Sequence, residues 1–550
     1  MLENLGTVID TDVLVIGGGA GGLWAGLSAK RHNPSLSVAV LDAHMVGRSG
    51  HAAFSNAWMA VVTAEDDLES CAREIVEGNE WIADQKLIYA TLSLSYGQLL
   101  ELEKMGLEYP KENGKFIRRP TRGLNLIRVL KPKGGGLEFC WALRKALEKE
   151  KVSIIEQIFI TDLLSDESGN VAGAVGIHGR SGQFCIIRAR STVVATNSVT
   201  FRAGFVRDLT GTGPLLAYRA GATLTNAEFG YLRPGTPRFY FEGITYAIQD
   251  GAKFRNARDD AFMERYDTKW ADKADVHSIT KAMVMEKQAG NAPLYLDMSL
   301  IPEDKRDDYL SSTVAWMDYF YKKLGERARI DMFGKTEYFP IYQITKMGIQ
   351  TDSECRSQIK GLFAAGLAQV ACATHFAELH IAVCNGTGWI GGKSAAMHAQ
   401  ETNAPRISTA YVSEVKAAIA SHFDTQSIAE SDELLLDLQK IMFRYDVSML
   451  KTEERLSDAL KEVTTIKDRM KNAKAPHPHE FVRLNETDCM IDTAEMILRA
   501  SLARKETRLS HIREDCPDRD DVNWLKWILI NKGESGPVIS TEPIKRPLFT

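Results

Sequence analysis

Six residues near the amino end, Gly17-Gly18-Gly19-Ala20-Gly21-Gly22, dictate much of what the chain can become. They follow an apolar, β-branched run, residues 12–16 (DVLVI), that reads as a buried strand, and they lead into a helix-like segment, LWAGLSAKRH. After Asn33-Pro34 a second strand signal, residues 37–41 (SVAVL), ends in Asp42. Strand, GxGxxG with glycines at 17, 19 and 22, helix, and strand ending in an acid is the pattern of a dinucleotide site. Gly17 permits the tight turn, and Gly19 lets the backbone approach a pyrophosphate at the helix N-terminus. Gly22 lets helix and strand pack closely, and Asp42 can accept hydrogen bonds from a ribose. Ala20, Gly21 and Ala43 are assigned to the same ligand. The motif alone leaves FAD and NAD(P) both open.

The rest of the composition narrows the class. A net charge of −5 from 67 basic and 72 acidic residues, with no basic-aromatic stretch, gives no footprint for nucleic acid. Eight cysteines (71, 140, 185, 355, 372, 384, 489 and 516) form no CxxC pair, which argues against an intrinsic iron–sulfur or structural zinc site. Scattered thiols, no signal-peptide pattern and no long apolar run point to a cytoplasmic protein without a transmembrane segment. No metal site is expected. The residues Pro476-His477-Pro478-His479 read as a loop, and their two histidines as bystanders.

Three later features favour FAD. A strand at 191–195 (STVVA) ends in Thr196-Asn197, a glycine turn opens a helix at 210–222 (TGTGPLLAYRAGA), and a strand ending in Gly366 (GLFAAG) returns the chain to its first domain. Together with the opening loop and Arg48-Ser49-Gly50, these segments resemble, in order and spacing, the succinate dehydrogenase/fumarate reductase flavoprotein family. Residues 504–524 (RKETRLSHIREDCPDRDDVNW) are the most specific part of the likeness, which covers about residues 8–530. Within the family the chain looks closest to the adenylylsulfate reductase alpha subunits, through its RSG, AGNAPLYLDM (289–298) and Lys393-Ser394-Ala395-Ala396 segments.

The resemblance implies an α/β fold: a Rossmann-like FAD-binding domain with an inserted α+β capping domain and a C-terminal helical domain. The expected spans are 1–228 and 345–405 for FAD binding, 229–344 for the cap, and 406–550 for the helical domain and tail. It implies a FAD-dependent oxidoreductase that acts on a small molecule at the flavin. Its electrons would pass to or from a ferredoxin-like iron–sulfur subunit or a soluble carrier.

The positions that read a dicarboxylate in the family are altered here. By local matching, Arg233 stands where a His is expected, Val276-His277 where an Arg-Asp pair is expected, Gln343 at a second His and Trp389 at a late Arg. A buried carboxylate needs cationic partners, so succinate and fumarate are not the expected substrates. The His and Arg of adenylylsulfate reductases are likewise absent, near Gln343 and Ile279. Chemistry on a sulfur compound and a non-catalytic electron-transfer role stay as alternatives. The candidate catalytic residues are Arg233, His277, Lys281 and Gln343, with His375 and His380 on the loop after GLFAAG. Trp58 and Trp389 are expected as pocket walls or core. Leu367 replaces an acid that relatives place against the ribityl chain, and Gly50 replaces a His that carries covalent flavin, although His51 follows it. FAD is therefore expected to be held non-covalently. Finally, Arg504, Arg508, His511 and Arg513 are expected to face the flavin and to stabilise its anionic reduced form.

Overall fold

The computed structural model describes residues 2–202, 209–237, 243–312, 323, 331–369, 376 and 379–549. The strand Thr7–Ile16 becomes wholly buried at its apolar end, Val13 to Ile16. It pairs in parallel with Val38–Leu41 on one side and Phe184–Val194 on the other, and Val38–Leu41 pairs with Ser153–Ile155. The Phe184–Val194 strand has two neighbours on its outer edge. Its first half takes Val171–His178 antiparallel (Ile177 opposite Phe184), and its second half takes Leu362–Ala364 parallel (Thr192 opposite Leu362). The carboxyl ends of four parallel strands, at Ile16, Leu41, Val194 and Ala364, thus meet at one edge. In open α/β sheets that edge is where ligands bind.

The helix Ala20–His32 begins directly at this edge and packs against a far downstream helix, Leu379–Glu401. Their backbones touch because the facing residues are glycines. A Cβ on Gly388 would lie 2.5 Å from the Gly21 oxygen, and one on Gly392 would lie 2.1 Å from that of Ala25.

The inserted region carries its own antiparallel sheet, in the order Gly230–Gly235, Lys335–Thr345, Leu294–Asp297, Lys253–Arg255. It has a separate core that includes Phe254, Phe262, Met283, Leu296 and Tyr338. The helix Val276–Gln288 lies against it, with Ile279, Ala282 and Met283 inward and its first turn capped by the Asp275 side chain. The Gly230–Gly235 and Lys335–Thr345 strands are the two connections back to the first domain.

Beyond residue 405 the long elements are helices, among them Ser431–Met442, Glu453–Met470 and Pro478–Ala503. Two details differ from expectation. Pro478-His479 is not loop but the first turn of a helix, with Pro at a position where it loses no hydrogen bond. His477 caps that helix, its Nδ1 accepting the Glu480 N–H at 3.1 Å. The tail is also not simply helical: the hairpin Lys526–Lys532/Pro537–Pro543 pairs with Leu224–Thr225, which in turn pairs with Gly348–Ile349. The alternation in this strand is too short to stand out before the partner strand is known. Among the described residues no helix is long and apolar enough to cross a membrane, and no cluster of three His, Cys, Asp or Glu is suited to a metal ion.

Candidate functional site

A cavity of ≈ 290 Å³ reaches from the glycine loop to the inserted region. Its first end is built by backbone geometry. Gly17 sits at φ +116°, and a Cβ there would come within 2.7 Å of the Ala195 carbonyl carbon. A Cβ on Gly22 would lie 1.8 Å from the Gly17 oxygen. Both are glycines for the sake of the fold. Gly19 differs: a Cβ there would meet nothing within 4 Å. The fold leaves that space open, and a ligand backed onto the helix N-terminus would fill it. Asp42 holds the loop in shape, accepting the Gly18 N–H and the His44 N–H, each at 2.8 Å.

Gly17, Gly19, Ala20, Gly21, Asp42, Ala43, Ser49, Gly50, Thr196, Asn197 and Gly366 all line the cavity. Two of the sequence candidates do not. Gly22 lies one layer behind, against Gly17, and Arg48 is exposed. Gly366, at φ +64°, donates its N–H to Thr387 Oγ1 at 2.9 Å, and Leu367 lines the wall beside it. Thr196 Oγ1 is buried with no hydrogen-bond partner among the described residues. An open cradle at Gly19 and an orphan hydroxyl at Thr196 fit a polar dinucleotide such as FAD. Sequence reading missed Glu486, which reaches this end from the helix Pro478–Ala503 and pairs with Arg202. Burial pushes its carboxyl above the usual range despite that partner. Cys384 also lines the wall, and burial raises its thiol to about 12, so it stays protonated.

The second end is lined from the inserted region and its hinge strands. Arg233 and Gln343 lie on the paired strands Gly230–Gly235 and Lys335–Thr345, and both face the cavity. Arg233 Nη1 donates to Gln343 Oε1 at 3.4 Å. Trp58 stacks on Tyr246 with ring centroids 4.5 Å apart, closing the seam between the two domains. His380 lines the cavity from the first turn of the helix Leu379–Glu401. Lys346 Nζ lies 2.7 Å from its Nε2 and 4.9 Å from the Tyr231 ring centroid.

The remaining candidates fall elsewhere. His277 does not line the cavity. It is buried behind Tyr231, edge-on at 5.4 Å, and its Nδ1 accepts the Leu232 N–H at 3.4 Å. Lys281 is exposed on the outer face of its helix. Trp389 is not a substrate wall: Gly388 and Gly392 face the first helix, which turns Trp389 onto the edge of Trp24 at 5.8 Å. His375 lies outside the described residues. Sequence reading also missed Arg122, which lines the second end while being 7% exposed.

The C-terminal cations are not at the flavin side either. None of Arg504, Arg508, His511 or Arg513 lines the cavity, and all four are buried in a charge network of their own. Arg504 bonds Glu228 at 2.9 Å and Glu506 at 2.7 Å. Arg508 grips both oxygens of Glu506 (2.7 and 2.9 Å), Asp521 (2.6 Å) and the Glu80 carbonyl (2.7 Å). Lys451 Nζ bonds the Glu228 carbonyl, Ser501 and His511 Nδ1 at 3.0–3.2 Å. Burial pushes Lys451 down to about 7 and, with the cations around it, holds His511 well below its ordinary value. Glu506 and Asp515 answer the arginines locally, but Glu228 and Asp521 come from outside the segment, so the charge pattern of 504–513 alone could not reveal the whole network.

With this geometry established, residues 12–379 match the family model described as FAD binding domain, and residues 436–549 that described as Fumarate reductase flavoprotein C-term. One of the subunits of the fumarate reductase (CoM/CoB) from Methanothermobacter marburgensis is 26% identical to the chain, over 95% of it and 97% of its own length. Among solved structures, a chain of E. coli quinol fumarate reductase superposes with a TM-score of 0.88 at 21% identity, covering 98% of this chain and 97% of that one. Adenylylsulfate reductase from Archaeoglobus fulgidus gives 0.84 at 22%, with the same two coverages. At such identities these two show a shared fold.

Proposed function

Since the chain belongs to the FAD-binding flavoprotein family of fumarate reductases and succinate dehydrogenases and is a FAD-dependent oxidoreductase, we propose that it acts on a small substrate other than succinate or fumarate, bound between flavin and cap. Electrons would pass between flavin N5 and that substrate, and to or from a ferredoxin-like iron–sulfur subunit or a soluble carrier. The observation that carries this reading is one cavity with the glycine loop at one end and Arg233, Gln343 and His380 at the other.

When bound, FAD supplies the two-electron chemistry, and the protein supplies position and charge. The Gly17–Gly22 turn and the Ala20–His32 helix N-terminus hold the dinucleotide, and Gly50 in place of a His supports a flavin without a covalent link. Trp58 and Tyr246 exclude water at the domain seam. Arg233, braced by Gln343, orients polar atoms of the substrate. His380 accepts from Lys346 at Nε2, so its own proton sits on Nδ1. We assign it the proton transfer that accompanies reduction. The absence of CxxC pairs supports a separate electron partner, and the scattered thiols support a cytoplasmic location.

The test is anaerobic photoreduction of the FAD-loaded protein followed by addition of candidate acceptors. Reoxidation by a small molecule, with fumarate turnover below about 1 s⁻¹, an ordinary enzymatic rate, is expected. Faster turnover of fumarate would overturn the exclusion of dicarboxylates. The same assay separates the two alternatives: a sulfur oxyanion as the reactive substrate, or no reactive small molecule at all in a pure electron-transfer subunit.

A further inference from the structure

We propose that Arg122 is the anchor for an oxyanion group of the substrate, a site that the family's substrate positions do not account for. The inference rests on the cavity being the substrate site of a FAD-dependent oxidoreductase. Arg122 lines the cavity near the cap, where the N–H of the next residue, Gly123, bonds the Lys273 carbonyl at 3.1 Å. Arg122 is more than nine-tenths buried, and among the described residues neither its Nε nor its Nη1 has a hydrogen-bond partner. Its sequence neighbour Arg118 shows the usual arrangement, with Nη2 on Asp66 Oδ1 at 3.2 Å.

A guanidinium is always charged, and burying one without a counterion is costly. The carboxylate that packs on Gly123, Asp275, is engaged with the N–H groups of His277 and Ser278 and the Ser278 hydroxyl. Among the described lining residues the only carboxylates are Asp42 and Glu486. The first holds the glycine loop and the second meets Arg202. Neither belongs to the cap end, where Arg233 adds a second guanidinium. The geometry therefore leaves guanidinium N–H donors at the cap end to be completed by the oxygens of an anion. A carboxylate and a sulfur oxyanion share that chemistry.

The experiment titrates FAD-loaded protein with benzoate in one arm and sulfate in the other, following the flavin difference spectrum and the melting temperature. The pyrophosphate site is already filled by FAD and does not compete. We expect one of the two anions to bind and to raise the melting temperature. Arg122→Gln should weaken that binding about tenfold to a hundredfold, as expected for a lost charge-assisted contact, and Arg122→Lys should restore part of it. In anion-free buffer Arg122→Gln should melt no lower than wild type, since it removes an uncompensated buried charge. Binding in the benzoate arm identifies a carboxylate, and binding in the sulfate arm a sulfur oxyanion. If neither anion binds, or if Arg122→Gln binds as tightly as wild type while its flavin is photoreduced normally, the Arg122 assignment is wrong and the oxidoreductase reading stands. If wild type purified without photoreducible flavin, both would fall.

Discussion

Replacing Arg508 by Met tests whether the C-terminal cations serve the flavin or the framework. Arg508 makes four hydrogen bonds from a side chain with no exposed surface, two of them to the equally buried Glu506. Removing one partner of a buried ion pair costs about 3–5 kcal/mol because a charge is left uncompensated. Here Glu506 keeps Arg504 at 2.7 Å and the Asp520 N–H at 2.9 Å, so the lower figure, about 3 kcal/mol, is expected. If the chain unfolds as one unit, an unfolding entropy of about 2 cal/mol/K per residue turns this into a fall of roughly 2–3 °C in melting temperature. A larger fall marks separate melting of the C-terminal unit. The assay pairs thermal melts with a redox titration of the bound flavin in wild type and variant. A lowered melting temperature with an unchanged flavin potential is expected. A potential that drops while the melting temperature holds would show that the positive charge acts on the flavin after all, and the network reading would fail.

Four further outcomes follow from the same structure. Gly19→Val should retain its fold, by circular dichroism and melting, and lose flavin absorbance. Gly22→Ala should instead disturb the loop itself, because its Cβ would strike the Gly17 oxygen. Acid or heat should release the flavin into the supernatant, and a fluorescent band persisting in a denaturing gel would implicate His51, which lines the cavity. His511 is held neutral in the fold, whereas in the unfolded chain it takes up a proton near pH 6.5. Its contribution is therefore present above that pH and is lost as the pH falls below it. Melting temperature should decline from pH 6.5 to 5 more steeply in wild type than in His511→Gln, and equal slopes would contradict the assignment.

What could be read from sequence depended on how local each cause was. Gly22 and Asp42 act on neighbours within one βαβ unit, so spacing alone revealed them, and Gly17, whose Cβ would meet Ala195, was revealed by the same motif. As a catalytic candidate Lys281 runs against its own helix: Ile279, Ala282, Met283 and Glu286 share the inward side at helical spacing, which turns Lys281 outward. Arg122 gave no local signal, because its meaning lies in partners it lacks among the described residues, and that is a tertiary fact. Trp389 was misplaced for the opposite reason. A matching motif carried a substrate role onto it, while the glycines on either side had already committed that stretch to helix packing. Arg508 sits in a run of mixed charge that reads equally as solvated turn or ligand cradle. Only the arrival of Glu80, Asp521 and the Glu228–Arg504 pair decides between them.

The contact between the helices Ala20–His32 and Leu379–Glu401 bears on how the protein is made. The glycine-faced surface of the first helix emerges from the ribosome early, but its partner is synthesised more than three hundred residues later. At 5–20 residues per second this interval is roughly 20–70 s. For about half of it the outer edge of the second half of Phe184–Val194 also waits for Leu362–Ala364. A nascent chain stalled before residue 362 would present both an unpaired strand edge and an uncovered helix face. Such stalled chains should be captured by chaperones or precipitate, whereas chains released after residue 401 should not need that protection for this domain.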